Sequence, residues 1–312
     1  MRNVHGRPIR IRLADRAARL LDPWIGRWAI SAPADTTTSA ASSPSATIAK
    51  AGLVPATVVT GGSAGIGQAI AAEFAASGGA VVLVARDARR LDMTRVAVGQ
   101  SPGARPDLIH AVSIDITAAD AARSIDAALA ERGLYLDVLV CSAGIGLSGP
   151  FAGQPADDIG RLLALNVEAT TRLVHHALQA MLARGRGGIL VVSSLGAHVP
   201  GPNQAAYYAS KAYLSSLTAA LAEENAGRGV RIMVVSPGPV ETGFHAAMGA
   251  DRAVYRRLIP ALSPERVARA AVLGFKLGWR TVIPGILPRV VGAVVGVIPV
   301  RMLSPIVRRL LR

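Results

Sequence analysis

Tyr207 and Lys211 stand four residues apart in the run YYASK, and that spacing has chemical consequences. Residues i and i+4 share one face of a helix, so the phenol and the ammonium would point the same way while Tyr208 would not. A free phenol has a pKa near ~10 and is a poor acid–base group at neutral pH. An ammonium beside it favours the phenolate and brings that value down. Lysine is scarce here, since only Lys50, Lys211 and Lys276 supply it among 34 basic residues. The pair is a candidate tuned proton donor. Taken alone, Tyr-x-x-x-Lys is far more often a product of ordinary helix packing.

A second group of residues suits a phosphate. Thr60 to Gly67 read TGGSAGIG, with Gly61, Gly65 and Gly67 spaced G-x-x-x-G-x-G after an apolar run. Glycines between a strand and a helix allow a tight turn and close approach of a pyrophosphate, which the helix N-terminus stabilises. The same letters contain G-x-S-x-G, the nucleophile-elbow pattern, with Ser63 as the nucleophile. A serine hydrolase is therefore a rival reading, with His175, His176, His198 and His245 as available bases. That reading gives no role to Thr60, to Gly67 or to the Tyr–Lys pair. A dinucleotide-binding regulator without turnover is a third reading. At the end of the next apolar run Ala85 is followed by Arg86 and Asp87. An acid there suits the ribose 2′-hydroxyl of NAD, whereas an arginine suits a 2′-phosphate, so Arg86 favours NADP(H).

These residues need a scaffold, and the chain supplies a regular alternation. The runs ATVVTG, AVVLVA, LIHAVSI, LDVLVCS, GILVVSS, VRIMVVS and RTVIPG are short, apolar and β-branched. Helix-period segments at 66–78, 87–98, 117–132 and 157–184, and the one holding YYASK, separate them. Continuous apolar strands alternating with helices predict an α/β fold of the doubly wound, Rossmann type, a parallel sheet with helices on both faces.

With those elements in place, TGxxxGxG, a serine and YxxxK resemble the short-chain dehydrogenase/reductase family over roughly residues 55–285. The family's serine lies thirteen residues before its tyrosine, which selects Ser194 over Ser193 and Tyr207 over Tyr208. Its helix asparagine corresponds to Asn166 in LALNVEAT, and its P-G-x-x-x-T to Pro237, Gly238 and Thr242. The resemblance implies catalysis by Asn166, Ser194, Tyr207 and Lys211. It implies cofactor contacts from Thr60, Gly61, Ser63, Gly65, Ile66, Gly67, Arg86, Asp115, Ser142, Ala143, Gly144, Tyr207, Lys211, Pro237, Gly238 and Thr242. Asp115 would meet the adenine ring and Thr242 the nicotinamide carboxamide. Lys211 would tune Tyr207 and hold the ribose, and Asn166 would fix a water linking Lys211 to solvent. One departure is CSAG at Cys141 to Gly144, where the family has Asn-Asn-Ala-Gly, so that Ser142 replaces a bracing asparagine. The implied reaction is NADP(H)-dependent interconversion of a ketone and a secondary alcohol. The implied assembly is a homodimer or homotetramer through the helices bearing Asn166 and Tyr207. No metal ion is expected.

Composition bounds the rest. Hydrophobic residues are 51% and charged residues 17% of 312, which excludes disorder throughout. A mean hydropathy of +0.39 points to a membrane surface or a large apolar ligand. The single cysteine, Cys141, excludes an internal disulfide and fits a reducing, cytoplasmic compartment. The formal charge of +14 sits largely at the ends: residues 1–30 carry seven arginines and two aspartates, and residues 285–312 five arginines and no acid. No nucleic-acid reading module accompanies this charge, and basic ends fit peripheral contact with an anionic membrane better. Residues 9–28 have an amphipathic helical pattern, and a small, polar linker follows over 31–50. Arginine and serine there partly suit a transit peptide, while two early aspartates argue against a secretory signal. The tail from Gly285 is apolar but broken; its longest charge-free run is the eleven residues Val290 to Val300, against ~20 for a spanning helix. It is expected to lie on a membrane surface or to cover the site. Three parts follow: a basic segment and linker at 1–50, a catalytic domain at 51–285 and a tail at 286–312. The apolar run HVPGP, the lid-like 243–260 and the tail suggest an apolar, lipid-like carbonyl substrate. Arg252, Arg256 and Arg257 are candidates for an acidic head group.

Overall fold

The computed structural model describes residues 52–250, 260–295 and 300–311. The expected N-terminal helix, the linker and the Arg252–Arg256–Arg257 trio lie outside the described residues. The apolar runs form β1 (Val54–Thr60), β2 (Ala80–Ala85), β3 (Ile109–Ser113), β4 (Leu134–Cys141), β5 (Gly187–Val192), β6 (Val230–Val235) and the two-residue β7 (Thr281–Val282). They make one parallel sheet in the order β3-β2-β1-β4-β5-β6-β7.

Neighbouring residues of each strand enter opposite cores, as the two-residue period of a strand requires. Val58, Val82, Leu139 and Ile189 face one side, with Ile125, Leu173 and Met181. Val59, Leu83, Val140 and Leu190 face the other, with Ile70, Val267 and Phe275. Both faces are dry, so no polar alternation is needed and the strands read as unbroken apolar runs. Each such side chain contributes ~1.5–3 kcal/mol on burial.

The covering helices are α1 (Gly65–Ala75), α2 (Ala88–Gly99), α3 (Ala121–Ala130), α4 (Ala156–Leu163), α5 (Thr170–Arg184), α6 (Ala205–Glu224) and α7 (Pro264–Lys276). The helix expected at 117–132 starts later, at Ala121. Asp115 accepts hydrogen bonds from the backbone and side chain of Thr117, which holds the preceding residues in a turn. The segment expected as one helix at 157–184 is α4 and α5 joined by a π-helical turn, Ala164–Ala169. Apolar periodicity persists through such a turn and does not reveal it. The tail folds into α8 (Ile286–Val295) and α9 (Val300–Leu310). No helix among the described residues is long and apolar enough to cross a membrane.

The order of the sheet fixes where a ligand goes. β1 leads to β2 on one side and neighbours β4 on the other, so the crossover direction reverses between β1 and β4. A crevice opens there at the carboxyl ends of the strands. The sequence places its glycine turn, CSAG and Ser194 at those ends.

Candidate active site

The glycine turn is shaped by contacts that side chains would block. Gly61 has φ +67, and a Cβ on it would lie 2.7 Å from the backbone of Ala143. A Cβ on Gly67 would collide with the carbonyl oxygen of Gly61, so α1 can start this close to β1 only with glycine there. Gly65 has φ +56 and faces the Thr242 side chain. Thr60 is buried and points away from the crevice; its hydroxyl donates to the Val140 carbonyl at 3.2 Å and lies 3.3 Å from the Ser142 amide. It thereby ties the end of β1 to the end of β4. Ser142 joins that brace through its backbone, and its amide also donates to the Thr60 carbonyl at 3.2 Å. Thr94 on α2 donates to the Ser63 carbonyl at 3.1 Å and steadies the turn from behind.

Arg86 and Asp87 divide the work at the end of β2. The Asp87 side chain accepts from the Arg90 amide at 2.9 Å and caps α2. Arg86 and Arg90 are both exposed and both line the crevice. Asp115, beyond β3, lines it too, and its hydrogen bonds from Thr117 hold its carboxyl below the usual value.

The other end of the crevice holds the candidate proton donors. Ser193 and Ser194 have separate fates. The buried Ser193 hydroxyl donates to the Lys211 carbonyl at 2.9 Å and lies 2.7 Å from the Ser215 hydroxyl, holding α6 against β5. Ser194 lies at the mouth, its oxygen accepting from the Gly196 amide at 3.1 Å. The tyrosines divide likewise. The ring of Tyr208 fills the space over Gly196 and Gly201, where a Cβ on either glycine would collide with it. Tyr207 lies with its ring 5.5 Å from Phe244.

Lys211 is 5% exposed and donates to the Val192 carbonyl at 3.0 Å. Its Nζ is 5.9 Å from the centre of the Tyr207 ring. Burial pulls its pKa down to about 8, a shift that the Cys141 charge would oppose. Burial pushes the Cys141 thiol up to about 12, so this cysteine is a neutral core residue. Asn166 is fully buried in the π turn. Its Oδ1 accepts from the Ile145 amide at 2.9 Å, and its Nδ2 donates to the Ile145 carbonyl at 2.8 Å and to Ser210 Oγ at 3.1 Å. A Cβ on Gly144 would lie 3.1 Å from Asn166 Oδ1 and 3.5 Å from Lys211 Nζ, so only glycine fits between them comfortably.

These residues enclose one cleft of about 1160 Å³. Of the expected residues, Gly61, Ser63, Gly65, Ile66, Arg86, Asp115, Ser142, Ala143, Gly144, Ser194, Tyr207, Lys211, Pro237, Gly238 and Thr242 line it. Thr60, Gly67 and Asn166 stand behind its wall. The sequence reading missed Ser210 as the support of Asn166, although it lies inside YYASK. It also missed Phe244 beside Tyr207, which carries no motif of its own. Val307, Leu310 and Leu311 of the tail line the cleft, and Pro288 sits over Gly238. Covering the site is one of the two places expected for the tail. The Ser63 hydroxyl has no hydrogen bond to a histidine among the described residues, and His176 instead meets Asp126 at 2.6 Å.

Comparison with known proteins agrees with this fold. The profile of the short chain dehydrogenases matches residues 55–253. A short chain dehydrogenase of Pseudocercospora fijiensis is 36% identical over 191 residues, which is 61% of this chain and 60% of that protein, so less than two thirds of its length is spanned. A short-chain type dehydrogenase/reductase of Sinorhizobium fredii is 32% identical over 68% of this chain and 82% of its own. A solved short-chain dehydrogenase from Sphingobium yanoikuyae, in complex with NADPH, superposes with a TM-score of 0.66 at 29% identity, covering 75% of this chain and 88% of that one.

Proposed function

We infer the reaction from one premise: the chain belongs to the short-chain dehydrogenase family, and it is an oxidoreductase of that family. On that premise we propose an NADP(H)-dependent carbonyl reductase, interconverting a ketone and a secondary alcohol. The observation that carries the proposal is the convergence of Ser194, Tyr207 and Lys211 on the cleft whose far end is the glycine turn. The glycines let α1 start close to β1, and its N-terminus, uncapped by any side chain, lines the cleft, which suits a pyrophosphate. Preference for the 2′-phosphate rests on Arg86 and Arg90, and on the engagement of Asp87 as a helix cap.

NADPH, when bound, supplies the hydride. The Tyr207 hydroxyl gives its proton to the carbonyl oxygen as charge grows there, and the Ser194 hydroxyl donates a second hydrogen bond to it. Lys211, charged below about pH 8, favours the phenolate that remains and contributes to replacing its proton. Asn166 acts from behind, fixing Ile145 and Ser210 around the lysine. Leu195, Val199, Phe244, Met248 and Leu310 line the substrate side and support an apolar substrate. Leu163 on α4 and Tyr213 on α6 are 43% and 41% exposed, which supports a homo-oligomer through these helices.

The test is NADPH consumption with a panel of ketones, followed by loss of its absorbance. The parent should reduce at least one apolar ketone. Tyr207→Phe should lose more than about a hundredfold in rate while still binding NADPH, because general acid catalysis is worth 10²–10⁴-fold. Tyr208→Phe should lose far less. Labelling of Ser63 by an active-site serine probe, with no NADPH consumed, would restore the hydrolase reading. NADPH binding without turnover of any ketone would favour a regulator.

A further inference from the structure

The C-terminal tail lies beyond residues 55–253, the stretch that matches the family profile, and yet it forms part of the cleft wall. Its two helices are held differently. α8 packs closely: Pro288 is buried, a Cβ on Gly238 would lie 3.2 Å from it, and a Cβ on Gly292 would lie 3.5 Å from the Leu195 side chain. This helix therefore sits over the loops that follow β5 and β6. α9 reaches the cleft with Val307 and Leu310, and Leu311 follows directly. Leu311 is buried there, but Val307 and Leu310 are only half-buried. Pro305 stands inside α9, so this short helix also lacks one backbone hydrogen bond.

The outward sides of the two helices share one chemistry. Ile286 and Leu287 stand four and three residues before Val290, so the three side chains meet on one face of α8, and all are exposed. Arg289 beside them is exposed, as are Arg301, Arg308 and Arg309 on α9. Residues 285–312 hold no acid to neutralise these charges. Exposed apolar side chains among free guanidinium groups fit an anionic lipid surface, where acyl chains take the one and phosphates the other. The apolar residues of α9 point instead into the cleft, which is where they find cover in water. At a bilayer a second cover exists, because the interface buries the apolar side of such a helix while its arginines stay among the head groups. The two positions compete for the same side chains, and an anionic surface adds attraction to one of them.

We propose that the tail docks on an anionic bilayer through α8, and that α9 then leaves the cleft for the lipid interface. The mouth of the cleft opens against the membrane, and an apolar substrate enters from the bilayer without crossing water. Docking and opening stand on the geometry of the tail; the passage of substrate rests on the carbonyl-reductase reading above.

The full chain can report both events through a bimane dye on a cysteine introduced by Ile286→Cys or by Val307→Cys. Cys141 is buried and needs no replacement. Vesicles of phosphatidylserine and phosphatidylcholine with brominated acyl chains quench a dye only when it enters the bilayer. Both labels should be quenched, and brominated phosphatidylcholine alone should quench neither. Quenching in the Ile286→Cys protein alone means docking with α9 still in the cleft, and overturns the proposal. A tail buried between two copies of this chain would leave both labels unquenched, and overturns it too. The unlabelled parent gives a check free of the dye. With NADPH and a water-soluble ketone from the panel above, phosphatidylserine vesicles should raise kcat/KM at least about threefold, since a closed fraction no longer weakens binding. The combined variant Arg289→Gln, Arg301→Gln, Arg308→Gln and Arg309→Gln should keep the rate seen without vesicles and lose the rise. A parent whose kcat/KM ignores the vesicles overturns the proposal and leaves the reductase reading standing. If no ketone is reduced, that reading fails, while the quenching still decides docking and opening.

Discussion

Tyr207 and Tyr208 are the same chemical group, and only their surroundings separate them. Both rings border the cleft, but one is packed over Gly196 and Gly201 and the other has Lys211 nearby. Ser193 and Ser194 divide in the same way. The thirteen-residue spacing of the family resemblance points to one of each pair, but it does not carry the reason for the division. It depends on Ser193 bonding the backbone of α6, a contact across 18 residues that no local pattern encodes. Arg86 permits a direct test of cofactor choice. NADPH should bind more tightly than NADH, and Arg86→Ala should narrow the gap by ~1.5–3 kcal/mol, the range for hydrogen bonds to charged groups. Equal affinities in the parent, by titration of both cofactors, would remove the assignment. Lys211 gives a pH prediction whose sign is fixed by its lowered pKa. Below about 8 the amine is charged both folded and unfolded. Between about 8 and 10.5 the folded protein has lost a proton that the unfolded chain still holds. Stability from this group therefore rises with pH across that window, by an amount on the order of 3 kcal/mol. Melting temperatures of parent and Lys211→Met, compared at each pH without cofactor, should diverge in the parent's favour through that range. A difference that stays constant through that range means that the amine is not desolvated.

The β-strands were the most legible elements because burial on both faces leaves a continuous apolar run. The helix over 121–130 was read too early because Asp115 and Thr117 lock a turn that polar letters alone do not distinguish from a helix start. The π turn was invisible for a different reason. It inserts a local change of pitch without altering which face is apolar, yet it is where Asn166 meets Ile145 and Ser210. The start of α1 carries the element-scale prediction. Gly67→Ala places a methyl against the Gly61 carbonyl, so either the turn or the helix must move. Such overpacking costs ~1–3 kcal/mol. NADPH affinity should fall by at least about tenfold, and the melting temperature should fall with it. Calorimetry and cofactor titration read the two effects separately; unchanged affinity would mean that α1 is not held close for the ligand.

Across the whole molecule the tail has two sides. Val307, Leu310 and Leu311 line the cleft, while Arg289, Arg301, Arg308 and Arg309 are exposed, and Ile286, Leu287 and Val290 are 84%, 47% and 54% exposed. Mixed apolar and basic exposure of this kind suits an anionic lipid surface. Deleting the tail would open the cleft, so replacing its charges is the cleaner probe. At low salt the parent should co-sediment with vesicles containing phosphatidylserine and weakly with phosphatidylcholine alone. Changing the four exposed arginines to glutamine should remove most of that binding, at about 1 kcal/mol per arginine, and added salt should weaken what the parent shows. Binding that survives both changes is not electrostatic, and the membrane assignment fails if the parent ignores anionic vesicles. The cover was legible as an apolar, proline-broken run, and its target only as one of two, the site or a membrane surface. A pattern of apolar residues states that a face is hidden, not which surface hides it.

The sheet order also has a consequence in time. The central strand β1 pairs with β2 almost at once, but its other neighbour is β4, and the Thr60–Val140 hydrogen bond joins residues 80 apart. At a synthesis rate of ~5–20 residues per second, about 4–16 seconds pass between the emergence of the two. Throughout that interval the nascent chain carries Val58 and Val59 on a strand with one open edge, a template for pairing with any other extended chain. A ribosome paused before Leu134 would hold that edge open, with the glycine turn complete and the strand that steadies it still unmade.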